Sequence, residues 1–375
     1  MNISQNKNKR IGGLELDNAL WLAPLAGVTT PPVREFFSRL GAGLTHTEMV
    51  SCMGLLRDNR KTQGMLRLLS GEGPVVLQLF SGDADTMVRG AQVALECCSQ
   101  SSTSLASFAA LGINMACPMP KVTKRGAGAA LMGRPEVAFE MVRSLKRLEL
   151  PVWVKIRRTS DEEETLRFVE GLVDAGSENV CVHGRTPAQR YEGRADRIIV
   201  AAASCRFPGK ISASGDVSHV EDVKEYLDMG CVGVMLARGA LANPYLFPLT
   251  LRALGRQVPD ELWNPTPEQR FQRLRSLSER SQEVSGLSAT LVLLKRLMAG
   301  MFKGVPGAAE LRRRAGSATR LDELLSFLAE GVGEMSPSPV PFDIADLEIS
   351  REPATKDLCE SLSCFERSGT DDLRV

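Results

Sequence analysis

The sequence predicts a (β/α)8 TIM barrel followed by a smaller all-helical domain. Eight short apolar runs occur between residues 20 and 237, and segments with helical spacing lie between them. The runs are continuous rather than alternating, which is typical of parallel strands buried on both faces. A doubly wound sheet is the alternative. It is disfavoured because no Gly-x-Gly-x-x-Gly follows the first run and because eight units suit a closed barrel.

The predicted elements follow one another in a regular order. The strands are predicted at 20–26, 43–49, 75–80, 111–117, 152–156, 179–184, 210–215 and 232–237. The intervening helices are predicted at 31–41, 83–98, 134–150, 160–176 and 218–230, from their polar or proline starts and their closing glycines. The Ser-rich stretch 101–108 lacks periodicity, so it predicts an insertion loop on the face away from the chemistry.

The pattern changes after residue 250, where helices continue without strands. Helices are predicted at 267–284, 289–304 and 321–331. We therefore expect a barrel over 11–250, a helical domain over 251–335 and a disordered tail over 336–375. The tail is first rich in Pro and Ser and then acidic, with nine Asp and Glu against four Lys and Arg.

Composition limits the classes of protein that the chain can belong to. The formal net charge of the 375 residues is +1, so there is no overall attraction to nucleic acid or to membranes. Nine scattered cysteines and only three histidines argue against a disulfide framework and against a metal site. The N-terminus lacks the apolar core of a signal peptide, and no run of about 18 apolar residues is evident. We expect a cytoplasmic monomer without a membrane partner.

Polar side chains gather at the C-terminal ends of the predicted strands, which is where the active site of such a barrel lies. They are Gln78, Asn114, Cys117, Lys155, His183, Arg185, Ser214, Asp216 and Arg238. Any one of them has a structural explanation, and a lone strand cysteine is usually a core residue. Their common location favours a site. Glycines after the last two strands add a prediction of phosphate binding, although ordinary turn chemistry also explains them.

Several segments resemble successive motifs of the tRNA-dihydrouridine synthases. The most specific are "INMACPMPKVTKRGAGAALM" and "VCVHGRTPAQRYEGRADR", and "LAPLAGV", "PVWVKIR" and "ISASGDV" occur in the matching order. The resemblance covers roughly residues 11–330. It implies an oxidoreductase that uses FMN and NADPH, or NADH, to reduce specific uridines in tRNA to 5,6-dihydrouridine.

The resemblance also implies a role for individual residues. Cys117 matches the catalytic cysteine, while Asn114 and Arg185 match positions that face the uridine and its phosphates. The positions that match FMN-binding residues are Pro24, Leu25, Ala26, Gln78, Lys155, His183, Ser214, Gly215, Asp216, Ala237 and Arg238. Hydride from reduced FMN would reach C6 of the uracil ring, and a proton must reach C5. A thiol with an ordinary pKa of about 8.5 can deliver that proton.

A basic surface is expected to hold the tRNA. Residues 251–320 contain thirteen Lys and Arg against six Asp and Glu, and Lys121, Lys124 and Arg125 follow the catalytic cysteine. Two alternatives stay open. One is an FMN barrel oxidoreductase that acts on a free small molecule. The other is a tRNA-binding protein without flavin, because Ser214 and Ala237 stand where the family usually has Asn and Gly.

Overall fold

The computed structural model describes residues 9–99 and 107–338. The predicted acidic tail lies outside the described residues from residue 339 onward, and so does most of the predicted insertion at 101–108. Of that insertion, Ser107 and Phe108 are described; Phe108 is buried and lies two residues before the barrel strand that begins at Ala110.

A closed ring of parallel strands forms the centre of the molecule. Numbered in chain order, and including two strands outside the ring (β1 and β2), the strands are β1 Lys9–Ile11, β2 Leu14–Leu16, β3 Leu20–Leu22, β4 Thr45–His46, β5 Val50–Ser51, β6 Val75–Phe80, β7 Ala110–Met115, β8 Val152–Arg157, β9 Asn179–His183, β10 Ile211–Ser214 and β11 Val234–Leu236. The ring runs β3-β11-β10-β9-β8-β7-β6-β4, and β5 extends it beside β6. Trp21 and Leu44 pair in parallel and close it. The predicted barrel and its eight strands are confirmed.

Helices surround the ring and continue beyond it. They are α1 Pro31–Arg39, α2 Cys52–Leu56, α3 Arg60–Gly64, α4 Ala84–Ser99, α5 Pro120–Thr123, α6 Pro135–Lys146, α7 Glu162–Asp174, α8 Ile198–Arg206, α9 Val220–Asp228, α10 Arg238–Ala242, α11 Leu246–Ala253, α12 Asp260–Trp263, α13 Pro267–Met301, α14 Ala308–Ser317 and α15 Leu321–Gly333. All five predicted barrel helices are present. The carboxylates of Asp83 and Asp161 accept from the amides of Thr86 (2.8 Å) and Glu164 (2.7 Å), as N-caps do.

An antiparallel hairpin of β1 and β2 covers the N-terminal end of the barrel, and it was not predicted. Its turn uses Gly12 and Gly13, which both have positive φ. The Gly12 carbonyl accepts from Trp153 Nε1 at 2.8 Å, and Ile11 and Leu16 are buried in the apolar cluster inside the barrel. Strands of three residues are too short to show a periodic pattern, so only their packing reveals them.

His46 on β4 is buried inside the barrel, and we expect it to make stability depend on pH. Its Nδ1 donates to the Leu22 carbonyl at 2.8 Å, and burial lowers its pKa from 6.5 to about 4. Between those two values the unfolded chain binds a proton that the folded chain does not. The stabilisation is therefore complete above pH 6.5 and is lost as the pH falls toward 4, by up to about 3 kcal/mol.

The measurement is the free energy of unfolding at about pH 7.5 and at about pH 4.5, in the original protein and in His46→Gln. The variant is expected to lose clearly less stability on acidification, although His183 continues to contribute. If His46→Gln lost as much stability on acidification as the original protein, His46 would have an ordinary pKa in the folded protein.

The C-terminal helical region consists of α13, α14 and α15, as the sequence predicted apart from α14. The helices expected at 267–284 and 289–304 form one element, α13, which is broken at Gly286 with φ 76° and ψ 173°. Arg280 on α13 pairs with the buried carboxylate of Glu35 on α1, and Gly300 packs so closely that a Cβ would lie 2.4 Å from the Ala242 carbonyl oxygen. The helical region is thus held against the barrel. The domain boundaries remain a prediction.

Helix α13 is also long and apolar enough, by length and composition, to cross a membrane. The sequence had not suggested any such segment. Its apolar side chains Leu293, Leu294, Leu297 and Met298 are buried within the protein. This burial is what a core helix shows, so the length and composition of α13 are weak evidence for a membrane span.

Candidate active site

The strand register brings most of the predicted site residues to one end of the barrel. Asn114 on β7 pairs with Lys155 on β8, and Arg157 at the end of β8 pairs with His183 on β9. Ser214 at the end of β10 also pairs with His183. Because the strands are parallel, these positions share the C-terminal mouth of the barrel.

Asn114 shapes the turn that carries Cys117. Its Oδ1 accepts from the amides of Ala116 (3.2 Å) and Cys117 (2.9 Å), and its Nδ2 donates to Gln78 Oε1 at 3.0 Å. Asn114 and Gln78 are buried, whereas Cys117 is only partly buried. The Cys117 carbonyl accepts from the Ala129 amide at 2.9 Å, which fixes the other side of the turn. The backbone of Cys117 is therefore held on both sides, at a position that retains access to solvent.

Lys155 is a partly buried cation beside this turn. Its Nζ donates to Ser214 Oγ at 3.0 Å, two strands away around the barrel. Burial lowers its pKa; the Cys181 thiol below it opposes this shift, and the guanidinium of Arg157 adds to it. Cys117 lies close enough to interact electrostatically with Lys155. Ser214 stands where the family that the sequence resembles usually has Asn, and its hydroxyl is thus a hydrogen-bond partner of the lysine.

His183 is held neutral at the centre of the mouth. Burial lowers its pKa well below 6.5, and the positive charges of Lys155, Arg157, Arg185 and Arg238 lower it further. Its Nδ1 accepts from the Arg185 amide at 3.2 Å. A neutral imidazole with an accepting Nδ1 carries its proton on Nε2, so His183 presents Nε2–H as a donor.

Asp216 joins the loops that follow β9, β10 and β11. Its carboxylate lies 2.7 Å from Arg185 Nη1 and 3.3 Å from Arg238 Nη2, and it accepts from the Ala195 amide at 2.7 Å. The side chain of Arg185 is buried, and it also donates to the carbonyls of Glu192 (2.9 Å) and Gly193 (2.5 Å). Protein groups therefore occupy the guanidinium of Arg185, and its contact with uridine remains a prediction.

The loops after β10 and β11 fit an anionic group such as the phosphate of FMN. Arg238 Nη1 is buried and has no hydrogen-bond partner within the described residues. Gly215 has φ 115°, and a Cβ on Gly239 would lie 2.0 Å from the Val217 carbonyl oxygen, so the two loops touch. Ala237 packs against the apolar cluster inside the barrel. A cation that pairs with Asp216 through Nη2 but keeps Nη1 unpartnered, beside two closely packed loops, can receive a phosphate.

The loop after β3 contributes the remaining predicted flavin-side residues. Pro24 and Leu25 are partly buried and Ala26 is exposed. The amide of Gly27 donates to Glu48, which ties this loop to the one after β4. Burial raises the pKa of Glu48. Sequence reasoning missed Glu48 because it stood near the end of a predicted strand without any separate signal.

Arg157 and Tyr191 were also missed. Arg157 is buried and donates to the carbonyls of Ala116 (3.0 Å), Thr186 (3.0 Å) and Arg190 (2.6 Å). It therefore links the Cys117 turn to the loop after β9. The ring of Tyr191 lies 5.6 Å from the Arg157 guanidinium and 5.3 Å from that of Arg238. The spacing of Lys155 and Arg157 gave a signal, since residues two apart on a strand share a face.

Metal-ligating side chains do not cluster in the part of the chain that the structure describes. Over residues 9–99 and 107–338, no group of three or more His, Cys, Asp or Glu side chains could hold a metal ion. The functional groups of the mouth are a thiol, a hydroxyl, cations, the Asp216 carboxylate, a neutral imidazole and amides.

A parallel barrel with its polar groups at the C-terminal mouth belongs to the large class of barrel enzymes. Comparison with known proteins gives the family: the family model "Dihydrouridine synthase (Dus)" matches residues 21–334. The chain therefore belongs to the dihydrouridine synthase family, which comprises oxidoreductases whose substrate is tRNA.

Similar proteins carry corresponding names. A "Probable tRNA-dihydrouridine synthase" of Treponema pallidum (strain Nichols) is 32% identical over 336 residues, which cover 85% of this chain and 95% of that protein. The "tRNA-dihydrouridine synthase B" of Pasteurella multocida (strain Pm70) is 31% identical, covering 64% and 70% respectively. The crystal structure of TcOYE with pHBA aligns with 70% of this chain and with 97% of its own. Its sequence identity to this chain is 11%, and the TM-score is 0.49.

Proposed function

We propose that this protein reduces specific uridines of tRNA to 5,6-dihydrouridine, with FMN at the barrel mouth and NADPH, or NADH, as the reductant. The observation that carries the proposal is the Cys117 turn, held by the Asn114–Gln78 pair beside the partly buried cation Lys155. The names of the relatives support the choice of tRNA as the substrate.

Cys117 is the proton donor of the proposed reaction. The reduction saturates the C5–C6 bond of uracil, and FMN, when bound and reduced, supplies the hydride that C6 receives. C5 then requires a proton, and the Cys117 Sγ–H bond breaks to provide it. Asn114 fixes the backbone that carries the thiol, through the 2.9 Å bond from the Cys117 amide. Such fixing matters because a proton donor must lie within hydrogen-bond reach of the carbon or of one intervening water.

The residues around the thiol would hold the cofactor. Lys155 would provide the flavin ring with a positive charge, and the neutral His183 would offer it a donor at Nε2. Arg238 and the loops after β10 and β11 would bind the phosphate, with the charge of Asp216 compensated by Arg185 and Arg238. Pro24, Leu25, Ala26 and Gln78 complete the expected FMN-binding set; Asn114 and Arg185 are the expected uridine-side residues.

An absorbance spectrum of the purified protein, recorded before and after adding NADPH under nitrogen, is the first test. Flavin bands that bleach with NADPH, followed by dihydrouridine formation in added tRNA, are the expected result. Reduction of free uridine as rapidly as of tRNA would favour an oxidoreductase acting on small molecules. A protein that binds tRNA yet takes up no FMN, even in excess, would favour the RNA-binding alternative.

The cations that hold tRNA are proposed to lie on the catalytic loop as well as on the helical region. Lys121, Lys124 and Arg125 are exposed in the loop that follows Cys117. In the helical region several of the predicted cations have carboxylate partners: Arg313 pairs with Glu310, Arg314 with Glu330 and Arg320 with Asp322. Glu310 was already among the six acidic residues counted over 251–320, but Glu330 and Asp322 lie beyond that range and lower the positive charge on which the sequence prediction relied, so the loop gains relative importance.

Reversing the charges of Lys121 and Lys124 together is expected to weaken tRNA binding and to lower its salt dependence. Each lost phosphate contact removes about one unit from the slope of log K against log salt concentration. The measurement is a filter-binding or anisotropy titration of tRNA at several salt concentrations, for K121E/K124E beside R312E/R313E.

The matched control is R89E/R143E, which makes the same change in charge. Arg89 and Arg143 are exposed on the outer helices α4 and α6, where they pair with Asp85 and Glu140. The control is expected to keep the original slope. Equal slopes for the control and for K121E/K124E would remove the catalytic loop from the tRNA-binding surface.

The protein is further proposed to act as a cytoplasmic monomer without a membrane partner. The burial of the apolar residues of α13 supports the last point, because a helix that is needed in the core is not free to enter a bilayer. Sedimentation of the full chain in detergent-free buffer tests both statements. A dimer, or a protein that is soluble only in detergent, would contradict them.

A further inference from the structure

The loop between β10 and α9, residues 215–219, has a backbone that its neighbours must hold in place. Gly215 has φ 115°, and Asp216 has φ 49°, which lies in the left-handed region where non-glycine residues are uncommon. Under the proposed function, this loop contributes to binding the phosphate of FMN. A loop with such a conformation keeps it only when surrounding contacts overdetermine it.

Arg197, at the start of α8, makes contacts that converge on this loop. Its Nη2 donates to Asp222 Oδ1 at 2.5 Å and approaches the Asp216 carbonyl oxygen at 3.5 Å. Its Nη1 donates to Glu225, and its guanidinium lies 5.1 Å from the centre of the Tyr226 ring. One side chain thus joins the loop backbone to two carboxylates and one ring of α9.

The partners of Arg197 in turn hold the rest of the loop. Asp222 Oδ2 accepts from the amides of Ser218 and His219, both at 2.9 Å. The buried hydroxyl of Tyr226 donates to the Gly215 carbonyl at 3.0 Å. Backbone groups at four of the five loop positions therefore contact either Arg197 or a side chain that Arg197 contacts.

We propose that Arg197 is a positioning residue that holds loop 215–219 in the conformation that receives the phosphate group of the flavin. The inference rests on the proposed function for the identity of the ligand. Arg197 acts through the loop, because its guanidinium is engaged by Asp222, Glu225 and Tyr226. A loop that is ordered before binding gains affinity by reducing the entropy lost on binding.

Arg206 provides a matched control at the other end of the same helix. It pairs with Glu163 at 3.0 Å and with Glu170 at 3.2 Å, and its guanidinium lies 5.7 Å from the centre of the Phe207 ring. Like Arg197, it therefore has two carboxylate partners and one aromatic neighbour. These partners lie on α7 and next to α8, away from loop 215–219.

The experiment compares FMN with riboflavin, which lacks the phosphate. Dissociation constants are measured by flavin fluorescence for the original full-length protein, Arg197→Leu, Arg197→Lys and Arg206→Leu, all freed of flavin. Arg197→Leu is expected to bind FMN about tenfold more weakly while riboflavin affinity is unchanged. The FMN affinity of Arg197→Lys should lie between those of Arg197→Leu and the original protein. The FMN affinity of Arg206→Leu should match that of the original protein. Amide exchange at 215–219 should accelerate in Arg197→Leu alone.

Several outcomes would overturn the inference. An unchanged preference for FMN over riboflavin in Arg197→Leu would do so, as would an equal loss in Arg206→Leu. Equal weakening of both flavins would indicate general destabilisation instead of a phosphate-loop effect. If Arg197→Leu does not fold, an unchanged preference in Arg197→Lys decides against the inference. An original protein that binds neither flavin would overturn the proposed function and this inference together.

Discussion

Replacing Cys117 with alanine is expected to leave a protein that binds flavin and that NADPH still reduces, but that forms dihydrouridine about 10²–10⁴-fold more slowly. The reason is that the substitution removes only the proposed proton donor. The Asn114 bonds to the backbone of the turn do not involve the thiol, so the loop should keep its shape. Single-turnover formation of dihydrouridine in tRNA by the pre-reduced enzyme isolates this step from flavin reduction.

Two further variants make the Cys117 result specific. Cys205 is exposed on α8, and Cys205→Ala is expected to keep full activity, which controls for general effects of thiol removal. Cys117→Ser retains a hydroxyl but is a much weaker acid than a thiol, so it should remain close to the alanine variant. Full activity of Cys117→Ala would remove Cys117 from the mechanism, whereas loss of flavin reduction in it would assign the residue a structural role.

Replacing Lys155 with methionine is expected to slow flavin reduction by NADPH by about 10²–10³-fold, without a loss of stability. Lys155 is a partly buried cation whose hydrogen bond goes to the neutral Ser214 hydroxyl, and it forms no ion pair with a carboxylate in the described residues. Removing such a charge relieves its desolvation cost, while the negative charge that develops on reduction loses its partner. Stopped-flow absorbance gives the rate of reduction, and denaturant unfolding gives the stability.

Slower flavin reduction without a loss of stability would identify Lys155 as a functional residue. Lys146→Met is the control, since Lys146 is more exposed and pairs with Glu178 on the outside of the barrel. It is expected to leave flavin reduction unchanged. If Lys155→Met reduced flavin normally, or if it lost stability along with activity, the lysine would belong to the structural framework of the barrel.

The barrel could be predicted because each of its parts leaves a local signal. The apolar run of β8, "VWVKI", is interrupted only by Lys155. The carboxylate of Asp83 caps the helix that it was expected to begin, and that of Asp161 caps the helix that was predicted to begin one residue earlier. The location of the site followed from the fold, since parallel strands bring their C-terminal ends to one mouth. Cys117 and His183 stood out because each is a reactive residue at such an end.

Contacts between distant residues could not be predicted in this way. The short hairpin of β1 and β2 has no periodic pattern, and its position is set by the bond from Trp153 to Gly12, 141 residues apart in the chain. Arg185 reads as a free cation in the sequence, yet the structure buries it against Asp216. Arg157 and Arg280 read as surface charges, and they prove to link separate parts of the molecule.

By itself the sequence determined the class of fold, and it predicted the end of the barrel that carries the chemistry together with the thiol, lysine and histidine proposed to act there. These depend on apolar periodicity and on residue type, which are local properties of the chain. The tertiary structure alone decided which charges are free and which are paired, that His183 is neutral, and that Arg197 converges on loop 215–219. Pairing and desolvation depend on distances between residues far apart in the chain, and only folding brings those residues together.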